Sequence, residues 1–120
     1  MPSKPVSFND VAERAARLNA LLVESIDESI TSLLSHQVAE ALFAHLEARS
    51  VPKDQISYQL DVFHSTLEKV FGPSARTVER NITRRLYGRL GLKFIDDPRM
   101  TLASHVIYLK KLQTPTKEQK

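Results

Sequence analysis

From Phe8 to Leu112 the apolar side chains recur at steps of three and four residues, and no stretch alternates apolar with polar as a half-buried strand does. The period predicts helices throughout. The first opens near Ser7 or Asn9, both good N-caps, with Asp10 and Glu13 in the first turn, where the helix dipole favours acid. Its stripe is Val11, Ala15, Leu18, Leu22, Ile26, Ile30 and Leu33, with Leu21 and Leu34 alongside, and it covers roughly six turns. Such a stripe has two readings: an ordinary core face, or a seam against a second copy through Val11, Leu18, Leu22 and Ile26.

Ser35 ends that helix and caps the next, whose predicted buried face is Val38, Ala41, Leu42 and Leu46. Pro52 forbids a continuous helix from upstream and suits a short helical turn. A third helix follows from about Ser57 to Phe71, with Leu60, Phe63, Leu67, Val70 and Phe71 as its apolar set. Gly72 and Pro73 close it, and Ser74 is expected to cap a fourth helix from Ala75 to Leu90, with Gly91 at its C′ position. The segment "LKFIDDPRM" is a connector. Thr101 then caps a last helix whose Leu102, Val106, Leu109 and Leu112 return to the core. These elements make an all-α chain: a compact bundle of about five helices with a long first helix and no significant sheet. One domain spans residues 7–113 between polar tails at 1–6 and 114–120.

Composition narrows the function more than the fold. With 42% hydrophobic and 26% charged residues in 120, the chain is an ordinary single globular domain and not a disordered one. The absence of cysteine excludes disulfides, thiolate metal sites and thiol catalysis. The opening "MPSKPVSFND" has no apolar signal-like stretch, and the longest apolar runs, such as "ALLV", are far too short to span a membrane. A cytoplasmic protein with no membrane partner is expected, which makes the "NIT" at Asn81–Thr83 an accidental glycosylation match.

No catalytic constellation emerges. His36, His45, His64 and His105 share no metal spacing, and His64 with Glu68 four residues on reads as a solvated helix pair. "GPSART" lacks the lysine and further glycine of a phosphate-binding loop, so the Ser74–Arg76 helix start reads as plain capping rather than an anion site. Asp96 and Asp97 read as the end of a turn before Pro98. The expectation is a protein that is not an enzyme and has no cofactor and no metal.

The net charge of +3 is unevenly spread: residues 1–50 sum to −3 and residues 72–93 to +5. The basic excess lies on the fourth helix. At 100° per residue its aliphatic side is Ala75, Val78, Ile82, Leu86 and Leu90. Arg76, Arg80 and Arg84 follow one flank with Tyr87 among them; the row reads either as a solvated face paired to the acidic first half of the chain, or as one able to track a phosphate backbone with a ring placed to stack. Glu79, Arg85 and Arg89 fall toward or beside the apolar sector, where a charge must be paired, snorkel at the edge or face another molecule. They read as structural braces, tied to carboxylates such as Glu40, Glu47 or Asp61.

The order of segments also resembles a known family. Leu33 and Leu34, Leu46 and Glu47, the stretch Phe63–Gly72, and Val78, Glu79, Leu86, Tyr87, Leu90, Gly91, Leu92 and Phe94 together are similar to the small archaeal domain called the Nitrosopumilus output domain. The likeness covers roughly residues 24–94, with Val78 where the family pattern has isoleucine. It implies an output role in archaeal signalling or regulation with no defined enzymatic activity, and it marks Glu79, Tyr87 and Gly91 as fold-determining. The sequence reading is therefore a non-enzymatic helical interaction module, self-associating as a homodimer or taking a partner protein. Its alternative is a nucleic-acid-binding regulator using Arg76, Arg80 and Arg84, with Lys110 and Lys111 in support.

Overall fold

The computed structural model describes the backbone of residues 8–113 and the side chains of residues 13–112. Five α-helices follow in order: α1 (Phe8–Leu33), α2 (His36–Ala48), α3 (Leu60–Phe71), α4 (Ala75–Arg89) and α5 (Leu102–Gln113). Short 3₁₀ turns at Lys53–Tyr58 and Gly72–Ser74 lead into α3 and α4, and no strand occurs among the described residues. The N-cap expected at Ser7, both tails and the side chain of Val11 lie outside the described residues.

Helix α4 lies at the centre and packs against α1, α3 and α5. Its Val78, Ile82 and Leu86 meet Leu18, Leu22, Ile26 and Ile30 of α1 in one core with Phe63 and Leu67 of α3 and Leu102, Val106 and Leu109 of α5. The long stripe of α1 is thus spent on its own chain. Leu18, Leu22 and Ile26 are at most 2% exposed, which corrects the expectation that they form a seam with a second copy. The ends of the stripe differ, because Ala15 and Leu33 are exposed.

Local chemistry sets the helix ends. The Ser35 hydroxyl accepts the Val38 amide at 3.2 Å, and Thr101 accepts that of Ser104 at 3.1 Å, both as N-caps do. Ser74 makes no such bond; it is already helical within the preceding turn. Gly91 sits at C′ of α4 with φ +72°, while the Leu92 amide reaches back to the Tyr87 carbonyl at 2.9 Å. The end of α2 has the same geometry on a different residue. Ser50 takes φ +66°, and the Val51 amide bonds the Leu46 carbonyl at 2.9 Å.

Several faces are turned from their expected positions. In α2 the buried residues are Ala39, Leu42 and Leu46, with Val38 and Ala41 outside. In α3 and α5, Val70 and Leu112 stay about half exposed, at 47% and 52%. Helix α3 begins at Leu60 and not Ser57, because Gln59 is non-helical and the buried Ile56 and Ser57 belong to the 3₁₀ turn.

Candidate functional site

Helix α4 separates its charges into two sets. On the α1 side, Arg89 holds Glu24 at 3.0 Å and Glu28 at 2.6 Å. Arg85 reaches Glu28 at 3.2 Å, Ser32 at 3.0 Å and Asn81 at 2.9 Å. The hydrogen bond and charge of Arg89, with help from Arg85, hold the Glu28 carboxyl below its usual range. The partners of these arginines are therefore acids of α1, where sequence reasoning had placed Glu40, Glu47 or Asp61. Glu79, only 7% exposed, is bound instead by the imidazole of His64 on α3, with Nδ1 at 2.6 Å from its carboxylate. The other ring nitrogen of His64 faces Glu68 at 3.4 Å. Hydrogen bonding to Glu79 raises the His64 pKa against the opposing effect of burial.

The outer row has a different target. Arg76 donates to the Pro98 carbonyl at 2.7 Å, Arg80 forms an ion pair with Asp96, and the Arg84 guanidinium lies 5.3 Å from the centre of the Phe94 ring. All three therefore meet the connector between α4 and α5. Tyr87, expected among them as a stacking ring, is 1% exposed and lies beneath the connector. Its ring meets Phe94 edge-on at 5.6 Å, and its hydroxyl lies 2.8 Å from Nδ1 of His105. No ligand can stack on it in this arrangement.

Burial holds Tyr87 protonated by raising its pKa, and holds His105 neutral by lowering its pKa despite the nearby Asp97. Both groups are satisfied when the hydroxyl donates to Nδ1 and the ring proton sits on Nε2.

Between α3, α4, the connector and the start of α5 lies a cleft of about 430 Å³. Its wall brings together His64, Glu68, Arg76, Arg80, Asp96 and His105, with Phe94, Met100 and Leu102 as apolar surface. Among these cations Arg76 alone has no carboxylate partner within the described residues; its bond is to a carbonyl. Sequence reading missed this cleft because its lining runs from His64 to His105 across four segments. The one available signal was Glu79, an acid in the apolar sector of α4 that demanded a buried partner.

A second cleft of about 430 Å³ opens between α1, α4 and α5 and is lined by Arg14, Arg17, Arg89, Leu90 and Leu112. Among the described residues its lining comprises three guanidinium-bearing residues and two leucines, and no acid. Among the described residues no group of histidine and carboxylate side chains could hold a metal ion, and no helix is long and apolar enough to cross a membrane.

No protein-family profile, curated protein or solved structure matches this chain.

Proposed function

We propose that the chain is a non-enzymatic helical interaction module, of the archaeal signalling or regulatory kind implied by its resemblance to the output domain. Its partner is an acidic, leucine-bearing protein segment. The observation that supports this most is the cleft of Arg14, Arg17, Arg89, Leu90 and Leu112. Protein interfaces favour an apolar centre inside a polar rim, and arginine is the cation most enriched there. Leu112 is half exposed in this cleft, and Arg17 forms no ion pair or hydrogen bond among the described residues. An amphipathic helix with leucines on one face and glutamates beside them complements that surface.

A homodimer through Leu18, Leu22 and Ile26 is not carried forward, since those side chains are buried in their own chain. The nucleic-acid alternative loses its stacking residue Tyr87, and its arginine row is engaged by the connector.

Fluorescence anisotropy with a labelled amphipathic Glu/Leu peptide tests the proposal, with labelled duplex and single-stranded DNA as competitors for the reading. The expected result is saturable peptide binding that Arg17→Glu and Leu112→Asp each weaken by about tenfold or more. Binding of DNA alone, or peptide binding that ignores both substitutions, overturns it. Sedimentation equilibrium run alongside should show a monomer whose mass does not change with Leu112→Asp.

A further inference from the structure

The cleft beneath the connector is a separate feature with its own chemistry. Its charges do not cancel locally. Asp96 is matched by Arg80 and Asp97 by Arg99. His64 stands between two carboxylates, Glu79 at 2.6 Å and Glu68 at 3.4 Å, so the pair of acids shares a single imidazole. In the same lining Arg76 gives one N–H to the Pro98 carbonyl and keeps other donors of its guanidinium fork. The lining therefore holds an unanswered positive group at Arg76 and an excess of negative charge around His64, with Phe94, Met100 and Leu102 as the apolar surface of the cavity.

We propose that this cleft binds a small zwitterion of the amino-acid class, carboxylate on Arg76 and ammonium on Glu68, with its hydrocarbon part against Phe94, Met100 and Leu102. A forked guanidinium matches a carboxylate in two parallel hydrogen bonds. The Glu68 carboxylate is half exposed and accepts from an ammonium without loss of the buried His64–Glu79 bond. The volume of about 430 Å³ lies within the range of small-molecule sites, and apolar walls with a few converging polar groups are their usual make-up. A ligand with only one charge satisfies one of these two groups and leaves the other as it was. Recognition therefore requires both charges on one molecule, at a separation set by the cleft.

Titration of the full chain by ¹⁵N-resolved NMR tests this directly. The probes are glycine, 4-aminobutyrate and 6-aminohexanoate, with butyrate and butylamine as single-charge controls. One zwitterion should saturate the amide shifts of residues 64–68, 76–80 and 94–105, with each control at least about tenfold weaker. Arg76→Gln and Glu68→Gln should each weaken it to a similar degree; both side chains are exposed, so the fold should survive. A control that binds as well as the best zwitterion overturns the proposal, as does a panel that leaves those amides unmoved. The wild-type titration decides the matter even where a variant fails to fold. Peptide binding at the cleft formed by α1, α4 and α5 involves other residues, so either result stands without the other.

Discussion

On one side of α4, Arg85 and Arg89 reach across to Glu24 and Glu28 of α1; on the other, Arg76, Arg80 and Arg84 reach forward to the connector. The residue type is the same, but the surroundings differ. The Arg89 side chain is 25% exposed and fixes two acids one helical turn apart on a neighbouring helix. The Arg80 side chain is 53% exposed, and its partner is on an irregular segment. A half-buried arginine between two helices fixes how they cross, because its stem packs while its fork is held. An exposed pair with a loop adds little to global stability and acts on the loop alone. Charge count along a helix therefore says little about binding until the partners of each charge are known.

The largest effect should come from the buried acid between the two sets. Glu79→Lys places a second cation against His64 without a partner and should cost about 3–5 kcal/mol in denaturant unfolding. Arg84→Ala on the exposed flank should cost less than about 1 kcal/mol. Equal costs would erase the distinction between the buried acid and the exposed flank.

Next in size is a comparison of arginines. Arg89→Ala should cost about 1–2 kcal/mol through lost packing and pairing, and Arg80→Ala under about 1 kcal/mol. Arg89 Nε is buried without a partner, so Arg89→Met, which keeps the stem and removes that nitrogen, should recover part of the loss.

The two histidines sharpen the comparison through pH. The folded pKa of His64 is raised, so its stabilisation is complete below the ordinary imidazole value of about 6.5 and is lost as pH rises through the raised value. That of His105 is lowered by burial, so its contribution is present above about 6.5 and is lost as pH falls through the lowered value. Thermal midpoints should therefore decline on both sides of the ordinary imidazole range. His64→Gln should flatten the alkaline side and leave the acid side in place. A variant whose whole profile matches the wild type would remove the His64–Glu79 pair as a source of stability.

The smallest effect concerns helix ends. Ser50 and Gly91 hold equivalent left-handed positions after α2 and α4. Ser50→Gly should stabilise by about 0.5–1 kcal/mol, and Gly91→Ser should destabilise by a similar amount. Calorimetry in which both substitutions move the midpoint the same way would contradict this reading.

Much of the architecture was legible because it is local. Spacing alone located five helices, Ser35 and Thr101 announced two N-caps, and Gly91 its C′ position. Ser50 did not announce the matching position, since serine carries no left-handed signal. Tyr87 was misplaced because a wheel drawn for α4 alone does not include the connector and α5, which fold back over that flank and bury it. The need for partners of Arg85 and Arg89 could be read from their angle on the wheel. Their identity as Glu24 and Glu28 depends on α1 packing on α4, a contact between residues about sixty apart that no local rule supplies. The cleft under the connector was hidden for the same reason.

Amide hydrogen exchange across the connector tests most directly whether the outer arginines are held by the chain itself. With Arg76→Gln and Arg80→Gln together, exchange at residues 94–101 should accelerate while α1 and α4 keep their protection and the unfolding midpoint barely moves. Unchanged exchange in the connector would mean that the outer row does not hold it, and would return Arg76, Arg80 and Arg84 to the role of a free basic surface.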